Sequence, residues 1–225
     1  MTIVPKPIRQ IVYKIVGANF YEKLRYAYYK KFVPNAGYDC SYYESNYNSN
    51  AHVYDLLAEA LTAEFHPLRL VDAGCGNGGI SAAFISCGCE SVMAFDGSAD
   101  AVKIARSRGI ASAQQLDFIE AKEIPASGDL CICCEVAEHI PEKYSSHFCE
   151  LLSKPAPVLA FTAAPPGQGG HLHVNLKSQS WWIEKMSQYG MVHDPAAVQR
   201  VRSRFNGKMI RDYDENLMIF RKKAI

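Results

Sequence analysis

The sequence lacks several features that would by themselves indicate which class of protein it encodes. Its 225 residues carry a net charge of only +1, so no overall field indicates a polyanionic partner. No apolar run approaches the roughly 18 residues of a membrane span, and no secretory apolar segment follows the first residues. There is no internal repeat and no low-complexity tract. We therefore expect a cytoplasmic globular protein without a transmembrane segment.

Eight cysteines are present, but their spacing does not form the paired C-x-x-C sets of a structural zinc site. Several of them lie within apolar stretches, where a free cysteine behaves as a small hydrophobic side chain. We therefore predict reduced cysteines and no structural zinc.

The first third of the chain differs from the rest. Apolar positions predict two helices within residues 8–32, a polar, tyrosine-rich loop over 35–50, and a helix over 51–65 capped by Asn50. Residues 1–34 also hold seven basic side chains against the single acid Glu22, a charge of +6. We divide the chain into an N-terminal helical segment, residues 1–50, and a main domain, residues 51–225.

From residue 68 onward, short apolar strands alternate with helices. The predicted strands cover 68–72, 91–95, 111–115, 130–134, 158–163 and 217–221, and the predicted helices cover 79–87, 99–108, 141–152 and 179–189. This alternation predicts an α/β fold with a mostly parallel sheet covered by helices on both faces. Because such sheets bind ligands at the carboxyl ends of their strands, we expect the site at that edge.

A glycine-rich loop, residues 72–79, joins the first of these strands to the first helix. Alternate glycines let the backbone approach a ligand, and the helix start presents free N–H groups to the same space. Asp96 follows the next strand, about twenty residues on, where an acid binds ribose hydroxyls. Since Gly74, Gly76 and Gly79 also satisfy the G-x-G-x-x-G dinucleotide pattern, the loop alone leaves both NAD and S-adenosylmethionine (SAM) open.

Four motifs in order resemble those of the class I SAM-dependent methyltransferases of the type 11/23 kind. They are 71–78, 94–98, 116–118 and 129–140, the last ending in E-x-x-E-H. The resemblance implies a Rossmann-like, doubly wound fold, SAM as cofactor and a helical N-terminal lid, for which the tyrosines of residues 42–47 are suited.

The resemblance also implies roles for individual residues. The SAM-binding set is Asp72 at the amino-acid end of SAM, Gly74, Cys75 and Gly76 in the loop, Asp96 and Gly97 at the ribose, Asp117 at the adenine amino group, Phe118 beside the adenine ring, and Glu135.

The candidate reaction residues follow the fourth and fifth strands. Glu135, Glu138 and His139 are similar to the E-x-x-E-H metal-binding motif of ubiquinone-biosynthesis O-methyltransferases and of small-RNA 3′-end 2′-O-methyltransferases, with His173 or His171 as a further ligand. Carboxylates and imidazoles together suit a divalent metal. The alternative is metal-free chemistry, in which Glu135 contacts the cofactor and His139 or His173 acts as a general base.

We predict methyl transfer from SAM to an oxygen or nitrogen of a small-molecule or sugar-like acceptor. One alternative is a metal-assisted RNA 2′-O-methyltransferase, because the basic N-terminal segment and the cluster Arg200, Arg202 and Arg204 could contact phosphates, although no nucleic-acid-binding module is present. The basic segment could instead contact anionic lipid or be a solvated helix face. Another alternative is a non-catalytic, SAM-binding partner subunit.

Overall fold

The computed structural model describes residues 38–223 together with Ile15, Gly17, Phe20 and Leu24. The seven basic residues of the first 34 positions, and most of the two helices predicted there, lie outside the described residues. Among the elements of residues 38–223, the helices are α1 (Cys40–Phe65), α2 (Gly79–Ser86), α3 (Ala99–Ser107), α4 (Ser145–Leu152), α5 (Gln179–Ser187), α6 (Pro195–Phe205) and α7 (Arg211–Asp214). The strands are β1 (Arg69–Ala73), β2 (Ser91–Asp96), β3 (Gln114–Gln115), β4 (Leu130–Cys134), β5 (Val158–Thr162), β6 (Met191–His193) and β7 (Met218–Lys222).

The seven strands form one sheet in the order β3-β2-β1-β4-β5-β7-β6. The strands from β3 to β5 are parallel, whereas β7 runs antiparallel to both β5 and β6. Strand order reverses between β1 and β4, so the carboxyl ends of these two strands form the crevice in which α/β sheets bind ligands. The predicted α/β class and mostly parallel sheet are confirmed.

Helices cover both faces of this sheet because side chains alternate along each buried strand. Leu70 and Ile132 face one layer, which contains Leu57 of α1, Phe84 of α2 and Phe205 of α6. The other face, which includes Val71 and Cys133, packs against Phe148 of α4 and Trp182 of α5. The doubly wound arrangement follows from these two apolar layers.

The predicted loop over residues 35–50 is wrong from Cys40 onward, where α1 begins. Asp39 caps this helix, its carboxylate accepting a hydrogen bond of 2.9 Å from the Tyr42 amide, so Asn50 is not the cap. Serine, asparagine and tyrosine are weak helix formers, and tertiary contacts such as the buried ring of Tyr43 outweigh that preference. The division of the chain at residue 50 stays a prediction, and α1 runs through that position.

Other differences are local. The third strand is only two residues long, and the predicted helix over 141–152 begins with a separate 3₁₀ turn, Glu142–Tyr144, before α4. The elements β6, α6 and α7 were not predicted. None of the helices in the described part of the chain combines the length and apolar character that a bilayer crossing requires.

Candidate active site

A cavity of about 510 Å³ opens at the carboxyl ends of the central strands. It brings together eleven of the predicted cofactor and reaction residues: Gly74, Cys75, Gly76, Asp96, Gly97, Phe118, Glu135, Glu138, His139, His171 and His173. The site therefore lies at the edge that the strand pattern predicted.

The glycine loop forms the side of this cavity at which SAM is predicted to bind. The amides of Gly74 and Cys75 donate to the Phe95 carbonyl at 2.7 and 2.9 Å, which ties the loop to the end of β2. Gly74 has a φ of 98°, and a Cβ there would overlap the side chain of Val136, so only glycine fits. These contacts fix the position of the loop backbone at the edge of the cavity.

Asp96 is fixed at the end of β2 by two backbone donors. Its carboxylate accepts hydrogen bonds from the amide of Gly76 at 2.9 Å and from that of Ser98 at 2.8 Å. Burial raises the pKa of Asp96, and these two hydrogen bonds oppose the shift because they favour the charged form. A carboxylate oriented in this way can accept further hydrogen bonds from hydroxyl groups in the cavity.

Two predicted SAM contacts do not line the cavity. The carboxylate of Asp72 is 2% exposed and accepts a hydrogen bond of 2.6 Å from the Ser81 hydroxyl of α2, and burial raises its pKa to about 7. The carboxylate of Asp117 accepts from the amide of Ile119 at 2.8 Å. The direct roles of these two acids toward SAM stay predictions.

Helix α1 forms one wall of the cavity, and Tyr42 and Tyr43, two of the tyrosines predicted to belong to a lid, line it. This wall is joined to the glycine loop by a network that the sequence did not reveal. The Asn77 amide group donates to Asn46 Oδ1 at 3.0 Å and to the Tyr54 hydroxyl at 3.1 Å, while that hydroxyl donates to Asn46 Oδ1 at 2.7 Å. The wall and the loop therefore keep a fixed relative position.

Glu135 and Glu138 follow β4 directly. Glu135 has a φ of 55°, its amide donates to Thr162 Oγ1 at 3.0 Å, and its carboxylate accepts from Gln168 at 3.3 Å. The side chain of Glu138 is fully buried, and neither carboxylate oxygen has a hydrogen-bond partner within the described residues. Burial, followed by the negative charge of Glu135, raises the pKa of Glu138. Such a group requires a cation or a proton.

Glu138, His139 and His173 offer ligand atoms that all lie within 4.8 Å of one another. The Nδ1 atom of His139 lies 3.3 Å from the Leu172 carbonyl, and burial, followed by the charge of His173, lowers the pKa of His139 to about 3. A neutral imidazole whose Nδ1–H faces a carbonyl presents Nε2 as a lone-pair donor, the usual arrangement of a metal-binding histidine. Glu135, the fourth predicted ligand, is not part of this group.

Close packing holds His173 in place. A Cβ added at Gly170 would overlap the imidazole ring of His173, so the Gly170 backbone lies directly against that ring. Next to it, Leu172 adopts a φ of 56°, which places its carbonyl toward His139. The loop after β5 thus positions both histidines.

Several lining residues were missed by the sequence analysis: Tyr38, Asn46, Asn50, Gln168, Asp212 and Tyr213. The spacing of Tyr42, Asn46 and Asn50 at every fourth residue would have placed them on one helix face, had this stretch been recognised as helical. No sequence pattern indicated α7, which contributes Asp212 and Tyr213.

Comparison with known sequences supports the cofactor assignment. A family model described as a methyltransferase domain matches residues 70–154. The ubiquinone biosynthesis O-methyltransferase of Xanthomonas campestris pv. campestris (strain B100) is 36% identical over 98 residues, 40% of this chain and 41% of that protein. The enzyme of the same name from Klebsiella pneumoniae is 31% identical over 101 residues, 42% and 41% of the two chains. The chain thus spans about two fifths of the length of these relatives.

Solved structures share the fold at low sequence identity. The magnesium protoporphyrin IX methyltransferase of Synechocystis PCC 6803, with bound S-adenosylhomocysteine (SAH), superposes with a TM-score of 0.56 at 17% identity, over 76% of this chain and 81% of that one. An O-methyltransferase structure from Nostoc punctiforme PCC 73102 gives a TM-score of 0.61 at 11% identity, over 81% and 59%. Together with the four motifs, the family model and the sequence relatives show a class I SAM-dependent methyltransferase domain that includes residues 70–154, and the solved structures show the shared fold.

Proposed function

We propose that this chain transfers the methyl group of SAM to a hydroxyl oxygen of a small molecule, with the help of a divalent metal held by Glu138, His139 and His173. The observation that carries the proposal is the buried Glu138 carboxylate, which has no hydrogen-bond partner within the described residues and lies beside two histidines. An anionic oxygen and two imidazole nitrogens form a donor set that transition metals and Zn²⁺ accept.

The chain's own residues bind and orient the reactants. Asp96 is placed to accept hydrogen bonds from ribose hydroxyls, and the open glycine loop accommodates the remainder of SAM. Tyr38 donates to the His171 carbonyl at 2.8 Å, which helps to hold the aromatic wall beside His139 and to exclude water. A metal at the three ligands would lower the pKa of an acceptor hydroxyl.

The transfer itself needs little covalent chemistry from the protein. The acceptor oxygen bonds to the methyl carbon as the carbon–sulfur bond breaks, the electron pair stays on sulfur, and the hydroxyl proton leaves to solvent. An oxygen acceptor is favoured over nitrogen because the relatives matched by sequence are named O-methyltransferases. The RNA alternative gains no support from the arginine cluster, because Arg200 and Arg204 pair with Glu64 and Arg202 pairs with Asp214.

Two measurements on the purified chain test the proposal. Titration with Mn²⁺, followed by electron paramagnetic resonance, should show one site in the wild type that is lost in Glu138→Gln and kept in the control Glu142→Gln, whose carboxylate pairs with Lys177. Transfer of labelled methyl from SAM to a panel of hydroxyl compounds should stop in EDTA and resume with excess Mn²⁺. Absence of the Mn²⁺ site would contradict the metal role, and SAH binding without any transfer would favour the non-catalytic alternative.

A further inference from the structure

The wall that α1 forms combines aromatic rings with amide groups. Tyr42, Asn46 and Asn50 line the cavity from one face of α1, and the ring of His171 lies 6.5 Å from that of Tyr42. The side-chain amide of Asn50 donates to the main-chain carbonyl of Asn46 at 2.9 Å. This hydrogen bond holds the Asn50 side chain along the helix. The Oδ1 atom of Asn50 stays able to accept a hydrogen bond.

Carboxylates line the same space. Asp212 of α7 borders the cavity, close enough to Glu135 to raise its pKa, and its carboxylate forms no ion pair within the described part of the chain. The buried Glu138 also borders the cavity. Across residues 38–223, no lysine or arginine lines it. Among the aspartate, glutamate, lysine and arginine side chains of the described residues, those that line the cavity are thus all acidic.

We propose that the methyl acceptor is an uncharged sugar or glycoside, whose hydroxyls bind Asp212 and Asn50 and whose C–H face packs on Tyr42 and His171. The inference rests on the proposed function and names its substrate class. Carboxylate and amide oxygens accept hydrogen bonds from hydroxyl donors, while flat rings bury the apolar face of a pyranose. A sugar phosphate or uronate would bring a second negative charge beside Asp212. Because like charges repel, this site should disfavour anionic acceptors.

The test begins with the full chain loaded with SAH, whose binding is measured first by calorimetry. Saturation-transfer NMR then compares methyl glycosides of the common hexoses and 6-deoxyhexoses with hexose 6-phosphates, hexuronates and catechol. We expect at least one neutral glycoside to bind and, with SAM in place of SAH, to be methylated. We expect its anionic counterparts to bind at least tenfold more weakly.

Variants of α7 connect this preference to the wall. Asp212→Asn should raise KM for the neutral glycoside about tenfold, and Asp212→Arg should shift binding toward the hexuronate, a gain that misfolding cannot imitate. Glu215→Gln, in the same stretch and paired with Arg211, is the control and should change neither. All three should bind SAH as the wild type does.

The outcomes separate this inference from the proposed function. If SAH binds and methyl is transferred to catechol or to an anionic sugar in preference to every neutral glycoside, the sugar assignment is overturned while O-methyl transfer stands. If SAH binds but no glycoside binds, the sugar assignment is likewise overturned. If SAH itself does not bind, the proposed function fails first.

Discussion

The Nε2 atom of His173 lies 3.9 Å from Oε1 of Glu138, and the two side chains are 11% and 0% exposed. This distance is too long for a hydrogen bond and short enough for both atoms to bind one ion. The pair comes from two different loops, one after β4 and one after β5.

Replacement of Gly170 should disturb the reaction without disturbing the cofactor. In Gly170→Ala the added methyl overlaps the His173 ring, which is buried and has little room to move. We expect kcat/KM to fall by roughly 10- to 100-fold, since a displacement of about 1 Å can have an effect of this size. The neighbouring Gly169→Ala, whose Cβ would meet nothing within 4 Å, is the matched control. Equal loss in both variants would contradict the prediction.

Replacement of Asp96 should weaken cofactor binding. Asp96→Ala removes the carboxylate that two backbone amides orient toward the cavity. We expect the binding free energy of SAH, measured by calorimetry, to weaken by about 1–3 kcal/mol through loss of a charged hydrogen bond. Glu90→Ala, an exposed acid just before the opposite end of β2, should bind SAH normally. Unchanged SAH affinity in Asp96→Ala would place the ribose elsewhere.

Removal of the Tyr54 hydroxyl should loosen the glycine loop. In Tyr54→Phe, Asn46 and Asn77 each lose one hydrogen bond of the network that joins α1 to the loop. We expect SAH affinity to fall by about 0.5–1.5 kcal/mol, the usual net value of one hydrogen bond. Tyr47→Phe, in which the ring beside Tyr54 keeps its packing, is the control. A fall in unfolding stability with no change in SAH affinity would show that the network is structural only.

Stability should depend on pH through Asp72. Because burial raises its folded-state pKa from 3.8 to about 7, the folded chain holds this proton more tightly than the unfolded chain does. The contribution of Asp72 to the unfolding free energy is therefore largest below pH 4 and is lost as pH rises toward 7. At about 1.4 kcal/mol per pKa unit, the loss reaches at most about 4 kcal/mol.

Urea unfolding at pH 5 and pH 8 measures this contribution. The decline in stability between the two pH values should be smaller in Asp72→Asn than in the wild type. In Ser81→Ala the decline should be larger, because the Ser81 hydroxyl lowers the pKa of Asp72. Parallel pH profiles for the wild type and Asp72→Asn would show that the carboxyl group titrates normally.

The parts of the site that follow buried strands were predictable from the sequence. A short apolar run fixes the strand, and the residue after it must reach the carboxyl edge, as Asp96 and Glu135 do. The group of Glu138, His139 and His173 followed from the same logic together with the E-x-x-E-H resemblance.

The parts that depend on distant packing were not predictable. The polar stretch at the start of α1 is helical because Asn46 and Tyr54 bond to Asn77, 31 and 23 positions away in the chain. No local propensity contains that information. The hydrogen bond that the Asp72 carboxylate accepts from Ser81 of α2 was also not predictable, because motif position does not specify the direction of a side chain.

Selection for stability would act on Glu135 because its backbone is left-handed. Of the four non-glycine residues with positive φ among the described residues, His66 and Asn206 close helices, Glu135 lines the candidate site, and Leu172 directs its carbonyl toward His139. Such a conformation costs about 1 kcal/mol or more in a residue with a Cβ. A library selected for heat resistance alone should therefore accumulate glycine or asparagine at position 135, and the gain in stability would remove a carboxylate from the candidate site.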